Sequence, residues 1–295
     1  MNITIVGLGL IGGSLALVLK EKGIATTIIG VDNDPEHAQK ALTLGIADEI
    51  ADLDEAIVRS SLIILCVPVD ACIQLLPRVL DRIGNQVVFD TGSVKKALIA
   101  SVAQHPRRGR YVATHPMWGT EQSGPEAATT KAFSGRANVI CDVDASDADA
   151  LTTVHNIYEA LGMYPVYMEA KAHDLHVAYI SHISHITSFA LANTVLEKEA
   201  EEDAIFNLAS AGFESTVRLA KSNPSMWVPV LKENKEHVLE VLDEHIVQLH
   251  KFRTSLEQEN WNELKVLMES ANNIKRILNP GINNNKQQPV LHGTK

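Results

Sequence analysis

A glycine-rich loop near the amino terminus constrains the fold of this chain more than any other feature. The strand predicted at Ile3–Val6 runs directly into Gly7-Leu8-Gly9-Leu10-Ile11-Gly12, where a helical pattern begins. Gly7 can make the tight turn, Gly9 lets a pyrophosphate approach the backbone, and Gly12 allows close packing of helix on strand. The helix N-terminus offers free N–H groups to the phosphates. The loop predicts a dinucleotide-binding βαβ unit; a glycine-rich turn that binds nothing is the alternative.

An acidic residue, Asp32, ends the second predicted strand about 20 residues after the loop. A carboxylate there accepts hydrogen bonds from ribose hydroxyls and repels a 2′-phosphate, so we expect NAD rather than NADP. Asp34 competes for this role, but it lies in the turn before Pro35, where the next helix is predicted to begin. The residues expected to contact NAD are Gly7, Gly9, Leu10, Ile11, Gly12, Asp32, Val67 and Pro68.

Short β-branched runs alternate with helical patterns through the first half of the chain, which favours a parallel α/β sheet. Strands are predicted at Ile3–Val6, Thr27–Val31, Leu62–Val67, Gln86–Asp90, Arg110–Thr114, Asn138–Cys141 and Tyr164–Met168. Helices are predicted at Ile11–Lys22, Pro35–Leu44 and Ala71–Arg82. The fold expected is a Rossmann-type, doubly wound parallel sheet followed by an all-helical carboxy-terminal domain.

Helical periodicity replaces strand patterns after about Ala170. The first helix of this part, predicted at Ala172–Leu196, is apolar around most of its circumference, and we expect it to be buried on several sides. The tail is rich in asparagine and glutamine, and we expect it to be disordered. The predicted domains are 1–169, which binds NAD, 170–278, which is helical, and the tail 279–295.

Composition limits the classes of partner and compartment. With 26 basic and 36 acidic residues the net charge is −10, which argues against a nucleic-acid surface or an anionic membrane surface. Cys66, Cys72 and Cys141 form no CxxC pair, and reduced thiols in a cytosolic protein are the simplest interpretation. The chain shows no signal peptide and no apolar run long enough to span a membrane. We expect a cytoplasmic protein.

Two predicted strands end at the edge where an open α/β sheet binds ligands. The first strand ends at Cys66-Val67-Pro68, and the second at Asp90-Thr91-Gly92-Ser93. Cys66 has no evident base beside it, so inert packing is favoured over a nucleophile. Ser93 can line the crevice and can also cap a helix beginning at Val94.

Histidines and an arginine supply further candidates for chemistry. His115 follows a predicted strand and opens a glycine-containing loop, so the topology brings it to the cofactor edge, although a lone loop histidine is usually structural. His182 and His185 share a helical face; without a nearby acidic residue they make a weak metal site, and no metal is predicted. A structural hydrogen bond is the alternative for His182. Arg218 can clamp a carboxylate if it faces the crevice, and is otherwise a solvated charge.

These residues together resemble a known family, the prephenate and arogenate dehydrogenases of tyrosine biosynthesis. The resemblance covers residues 1 to about 278 and extends beyond the glycine loop, which many dehydrogenases share. The specific motifs are Asp90-Thr91-Gly92-Ser93-Val94-Lys95, His115-Pro116-Met117 with Gly119-Thr120 and Ser123-Gly124, Ser181-His182-Ile183-Ser184-His185, and Arg218 through Pro224 with Met226-Trp227.

The resemblance implies an oxidative decarboxylation in which prephenate and NAD+ give 4-hydroxyphenylpyruvate, carbon dioxide and NADH. By this analogy His115 is the base that acts on the ring hydroxyl, and Ser93 orients His115 and that hydroxyl. His185 and Arg218 are the implied substrate ligands. A twofold dimer through the helical domain is also implied, and the apolar helix that begins near Ala172 supports it because such a surface needs covering.

One position departs from the family pattern, and the substrate stays open. The family often has Leu-Pro where this chain has Ile183-Ser184, so a helix kink is expected to be lost and His185 to shift. An uncharged Ser215 and the presence of His185 favour prephenate, whereas Glu214 would suit the ammonium of arogenate. A 3-hydroxyacid dehydrogenase and a non-catalytic NAD sensor are the rivals; the first would need a lysine within the helix that carries His185.

Overall fold

A computed structural model describes residues 1–199 and 204–278. Contacts within the chain divide it into two compact units, Met1–Val241 and the part from Leu242 onward. All of the residues predicted to bind cofactor or substrate belong to the first unit. The predicted boundary at 169/170 separates the sheet from the helices, so it divides the chain by secondary structure rather than by contacts. It stays a prediction. The predicted disordered tail, 279–295, lies outside the described residues.

An eight-stranded sheet forms the centre of the first unit. Its strands are β1 (Asn2–Val6), β2 (Thr27–Val31), β3 (Glu49–Ile50), β4 (Leu62–Leu65), β5 (Val87–Asp90), β6 (Tyr111–Pro116), β7 (Ala137–Cys141) and β8 (Tyr164–Met168). They lie in the order β3-β2-β1-β4-β5-β6-β7-β8, and neighbouring strands are parallel except for β6 and β7. The strand order reverses between β1 and β4, which is where such sheets bind a dinucleotide.

Helices cover both faces of this sheet because its central strands are apolar on both sides. The helices of this part are α1 (Leu10–Glu21), α2 (Pro35–Thr43), α3 (Leu53–Arg59), α4 (Val69–Arg82), α5 (Lys96–Ala100) and α6 (Ala148–Ala160). In β4, Leu62 and Ile64 join the core layer containing residues of α1 and α6, whereas Ile63 and Leu65 join the layer containing α4 and α5. This alternation is expected of a strand buried on both faces.

The predicted sheet needs three corrections. The two-residue strand β3 was not predicted, because two residues are too few to show a period. β7 pairs antiparallel with β6 rather than parallel, with His115 opposite Val139. His115 also lies within β6 rather than after it. The β6–β7 pairing has its own cause: these strands are joined by a loop, so the chain returns without a crossover helix.

Helices alone form the rest of the described chain. They are α7 (Ala170–Val177), α8 (Ile183–Glu199), α9 (Ala211–Val217), α10 (Pro224–Glu233), α11 (Lys235–Glu257), α12 (Trp261–Ala271) and α13 (Lys275–Leu278). A π-helical turn, Ala178–His182, joins α7 to α8, so the helix predicted at Ala172–Leu196 is interrupted. None of the helices in the described ranges is long and apolar enough to cross a membrane.

The expectation that this long helix is buried on several sides holds for its first part, where His173, Asp174, Val177, Ala178 and His182 are buried, and not for α8 in the single chain. Ser188 is the one buried residue of α8, and Ile180 in the π-helical turn is 65% exposed. The apolar composition of a helix does not specify whether its own chain or another protein surface covers it. Ile180 and Leu196 are exposed apolar residues of this segment, so they are available to another protein surface.

Candidate active site

The glycine loop leaves room for a ligand at one position and for none at the other two. Gly7 has φ +94°, and a Cβ there would lie 2.7 Å from the carbonyl oxygen of Cys66. A Cβ on Gly12 would lie 1.9 Å from the carbonyl oxygen of Gly7. A Cβ on Gly9 would meet nothing within 4 Å. Gly7 and Gly12 are therefore required by packing, whereas Gly9 borders open space, as a backbone approached by a pyrophosphate must.

The remaining predicted cofactor residues surround this loop. Helix α1 begins at Leu10, and its first N–H groups receive no side-chain cap, so they are available to an anion. Leu10 and Ile11 are half-buried there. A Cβ on Gly7 would lie 3.1 Å from Val67, which places that side chain against the loop, and the exposed Pro68 precedes α4.

Asp32, at the end of β2, is hydrogen-bonded to the glycine loop. One carboxylate oxygen accepts a hydrogen bond from the backbone N–H of Leu8 at 2.8 Å, and the other accepts from the N–H of Asp34 at 2.9 Å. Asp34 instead caps α2, because its side chain accepts from Glu36 N and His37 N. The two acidic residues thus have separate positions, and Asp32 is the one directed at the loop. The residues present fit a dinucleotide with free ribose hydroxyls.

His115 lies in a chain of three hydrogen-bonded side chains. Its Nδ1 is 2.9 Å from Nε2 of His173, and Nδ1 of His173 is 2.8 Å from Oδ1 of Asp174. His173 and Asp174 belong to α7 and are each 1% exposed, whereas His115 is half-buried at the end of β6. The sheet and the first helix of the helical part therefore meet at this base.

The surroundings of His115 keep its imidazole neutral. Burial lowers the pKa of His115 well below its usual value, and the nearby positive charge of Lys95 lowers it further. Lys95 is fully buried and is ion-paired with Asp90, and its Nζ also donates to the carbonyl oxygen of Thr114 at 2.6 Å. Neutral imidazole is the form that can accept a proton.

Ser93 lies in the half-buried loop after β5, beside the strand that carries His115. It does not cap a helix: α5 begins at Lys96, and no side chain of its own loop caps it. Asp174 accepts hydrogen bonds from the backbone N–H groups of Lys95 at 2.8 Å and Lys96 at 2.9 Å instead. The serine hydroxyl is therefore not committed to that cap and lies at the crevice edge of the sheet.

His182 and His185 make different contacts although they share a helical segment. His182 is fully buried, with Nδ1 3.2 Å from the side-chain amide of Asn234. His185 stacks on Trp227 with ring centroids 3.5 Å apart, and its Nδ1 lies 3.0 Å from the carbonyl oxygen of Ser181. A carbonyl oxygen only accepts, so Nδ1 of His185 carries the proton and its Nε2 is free to accept a hydrogen bond.

Arg218 is half-exposed and forms an ion pair with Glu121, with Nη1 2.6 Å from Oε2. Glu121 belongs to the loop that follows His115, so this pair links that loop to the residues after α9. The charge of Arg218 also acts on His185, whose pKa is lowered mainly by burial and partly by that charge. Arg218 and His185 are thus close to one another, at the loop that leaves His115.

The helix that carries His185 is interrupted, although the missing proline led us to expect that a kink is lost. Although proline is missing at position 184, the π-helical turn Ala178–His182 interrupts the helix immediately before His185. Such turns often occur at functional sites. Ser184 itself is exposed.

The other candidates lack a chemical role here. Burial raises the pKa of Cys66 to about 12, so its thiol is a poor nucleophile at neutral pH. Glu214 is exposed and lies 3.6 Å from Lys221. In the described part of the chain, no group of three histidine, cysteine, aspartate or glutamate side chains is arranged to hold a metal ion.

Sequence reasoning missed four residues of the site. His173 and Asp174 were overlooked, although an adjacent histidine and aspartate in a helix expected to be buried need hydrogen-bond partners. Glu121 was part of the quoted loop, but its partner is 97 residues away in the chain. Lys95 belonged to a quoted motif, and no local pattern shows that a lysine is fully buried.

Fold and site together define a class of protein, the nucleotide-dependent oxidoreductases. A dinucleotide loop lies at a topological switch point, and a neutral, half-buried imidazole lies at the same sheet edge. Comparison with known proteins gives the family. Residues 15–166 match the model of the prephenate dehydrogenase nucleotide-binding domain, and residues 169–270 match that of the prephenate dehydrogenase dimerization domain. The chain belongs to the prephenate dehydrogenase family.

Individual relatives agree with this assignment. The chain is 31% identical to the prephenate dehydrogenase of Bacillus subtilis over 268 residues, which covers 89% of this chain and 72% of the relative. A crystal structure of Aquifex aeolicus prephenate dehydrogenase, in complex with hydroxyphenyl propionate and NAD+, superposes with TM-score 0.84 at 29% identity over 94% of this chain and 97% of that one. A Synechocystis arogenate dehydrogenase structure gives TM-score 0.73 at 27% identity over 94% and 99%.

Proposed function

We propose that the protein oxidises prephenate with NAD+ and releases carbon dioxide, giving 4-hydroxyphenylpyruvate for tyrosine biosynthesis. The observation that carries this proposal is the neutral imidazole of His115 at the end of β6, on the sheet edge where the glycine loop and Asp32 receive NAD. A base and a hydride acceptor at one edge suit the oxidation of a secondary alcohol.

The reaction balances without an external proton. Nε2 of His115 takes the proton of the ring hydroxyl while the hydride on the same carbon leaves, and NAD+, when bound, accepts that hydride. The oxidised ring then loses its carboxylate as carbon dioxide. The electron pair of the broken C–C bond makes the ring aromatic, and the ring oxygen takes back the proton from His115. His115 therefore binds one proton between the oxidation and the decarboxylation, and is unchanged at the end of the reaction.

The other predicted site residues receive roles from their positions. We assign Ser93 to orient the ring hydroxyl towards His115, since it lies on the neighbouring strand's loop. We assign Arg218 to bind a substrate carboxylate through donors that its ion pair with Glu121 does not use, since that pair is made by Nη1. We assign His185 as a hydrogen-bond acceptor for substrate through its free Nε2.

Prephenate is favoured over arogenate by the charges near Arg218. Arogenate carries an ammonium group, which needs a carboxylate that is not already paired. Glu214 is exposed and lies near Lys221, and Glu121 is neutralised by Arg218. The similarity to an arogenate dehydrogenase keeps arogenate as the competing substrate in the test.

We further propose a homodimer formed through the helical part, in a cytoplasmic protein that has no nucleic-acid partner. The match to a dimerization domain and the exposed apolar residues of the helical part support the dimer. Cys66, Cys72 and Cys141 are free thiols, in keeping with a reducing compartment. The net charge of −10 opposes binding to nucleic acid.

NADH formation by the purified protein tests the function. We expect turnover with prephenate and NAD+, and much slower turnover with arogenate or with NADP+. His115→Asn should lower kcat by at least about 1,000-fold and leave NAD+ binding near normal. His105→Asn is the matched control, because His105 belongs to a separate pair with Asp81. A preference for arogenate, activity only with simple hydroxyacids, or tight NAD+ binding without turnover would each reject prephenate oxidation.

A further inference from the structure

A buried histidine–aspartate pair lies behind the proposed base. Nε2 of His173 is 2.9 Å from Nδ1 of His115, and Oδ1 of Asp174 is 2.8 Å from Nδ1 of His173. Both residues of the pair are 1% exposed. Nothing in the reaction described above uses them, yet burying an imidazole and a carboxylate is costly unless both are well partnered.

The hydrogen bonds fix which atoms carry protons. The carboxylate of Asp174 accepts from the backbone N–H groups of Lys95 and Lys96, which can only donate. An ionised carboxylate is an acceptor, so Nδ1 of His173 carries a proton and donates it to Asp174. Burial and the charge of Lys95 lower the pKa of His173 although Asp174 acts to raise it, so His173 is neutral at pH 7. Its Nε2 then has a lone pair.

The tautomer of His115 follows from that lone pair. Nε2 of a neutral His173 can only accept, so Nδ1 of His115 must be the atom that donates across the 2.9 Å contact. The proton of a neutral His115 is therefore on Nδ1, and Nε2 is left unprotonated. Without His173, nothing on this side of the ring would favour Nδ1–H over Nε2–H.

We propose that His173 and Asp174 are positioning residues that hold His115 as the Nδ1–H tautomer, with Nε2 free to take the substrate proton. This inference rests on the proposed function for its catalytic consequence, but the tautomer itself does not depend on any substrate. When Nε2 takes a proton, the positive imidazolium keeps donating through Nδ1 to His173. The negative charge of Asp174, which is hydrogen-bonded to His173, then stabilises the charged ring of His115.

Nitrogen NMR of histidine-labelled protein tests the tautomer without substrate. The chain has 12 histidines, and the His115 signals are assigned by their loss in His115→Asn. At about pH 7.5 we expect the wild-type Nδ1 of His115 to show a protonated-nitrogen shift and Nε2 an unprotonated one. In His173→Asn the amide can still donate to Asp174 but has no acceptor for His115, so Nε2–H should become populated. A wild-type His115 that is protonated on Nε2 would overturn the proposal.

Kinetics separate positioning from packing. We expect His173→Asn to lower kcat on prephenate by about 100-fold with little change in KM for either substrate. His173→Gln places an amide oxygen near the former Nε2, so it should accept from His115 and recover at least about tenfold of that loss. His105→Asn, which removes the histidine of an unrelated pair with Asp81, should leave kcat unchanged.

The outcomes distinguish this inference from the proposed function. Equal losses in folded His173→Asn and His173→Gln proteins would reduce His173 to packing and overturn the proposal. If the wild-type protein does not oxidise prephenate but His115 is still the Nδ1–H tautomer, the function fails and the positioning stands. If the His173 variants do not fold, the tautomer of the wild-type protein decides alone.

Discussion

Acid should destabilise this protein through His182, a fully buried imidazole at the end of the π-helical turn. The side-chain nitrogen of Asn234 donates to the backbone carbonyl of Asp174 at 2.7 Å and lies 3.2 Å from Nδ1 of His182. An amide nitrogen only donates, so Nδ1 of His182 must accept and cannot carry a proton. Nε2 of His182 is buried without a partner among the described residues. Protonation of Nδ1 would place its N–H against the N–H of the Asn234 amide in a buried site.

The size of the effect follows from the pKa. Burial lowers the pKa of His182 from 6.5 to about 4. The unfolded chain therefore binds one more proton between these values, and stability falls as the pH drops from about 6.5 to about 4. The difference corresponds to about 3 kcal/mol, most of which is lost by about pH 4.5. Above the ordinary pKa both states are neutral and this cost disappears.

Urea unfolding at about pH 7.5 and about pH 4.5, at one fixed protein concentration, measures this loss. His182→Gln keeps a neutral acceptor for Asn234, so between these two pH values its free energy of unfolding should fall by about 2–3 kcal/mol less than that of the wild type. His176→Gln is the control, because His176 is exposed on α7 and its replacement removes no buried imidazole. The pKa values of His115, His173 and His185 are also lowered by burial, so all three proteins lose stability in acid and the test compares the sizes of the losses. Equal acid losses in wild type and His182→Gln would refute the argument.

Three further predictions concern binding. Gly9→Ala should raise the Kd for NAD+ at least about tenfold. It should change the free energy of unfolding by less than about 0.5 kcal/mol, because the added Cβ meets only open space within the chain. Gly12→Ala, in contrast, should also destabilise the fold. Calorimetric titration measures the NAD+ affinity, and urea unfolding measures the stability. Normal NAD+ binding by Gly9→Ala would contradict the assigned pyrophosphate position. Asp32→Asn should lower the ratio of kcat/KM for NAD+ over NADP+ at least about tenfold, and an unchanged ratio would exclude Asp32 as the selective residue. Arg218→Gln should raise KM for prephenate at least about tenfold without changing NAD+ affinity, whereas Lys221→Gln, an exposed neighbour, should change neither.

Local pattern was enough for the cofactor half of the site. The glycine loop, the strand before it and Asp32 lie within 32 residues of the amino terminus, and their geometry depends on one βαβ unit. Hydrophobic runs likewise predicted seven of the strands in the described chain. The missing β3 has two residues, and the direction of β7 depends on which strand it meets rather than on its own composition.

The substrate half depends on contacts between distant segments. His115 and His173 are 58 residues apart, Lys95 and Asp174 are 79 apart, and Arg218 and Glu121 are 97 apart. No periodicity within one segment specifies such pairs. The family resemblance supplied His115, Ser93, His185 and Arg218 as candidates, but it did not supply the partners that set their protonation.

The carboxylate of Asp174 connects the loop that carries Ser93 to the ring behind His115. It accepts the N–H groups of Lys95 and Lys96, which end the loop that carries Ser93, and it also accepts the proton of His173. One side chain on α7 thus fixes both the start of α5 and the orientation of the ring behind His115. Replacing Asp174 should therefore disturb the serine loop and the ring behind His115 together, whereas His115 itself is carried by β6 and keeps its place in the sheet.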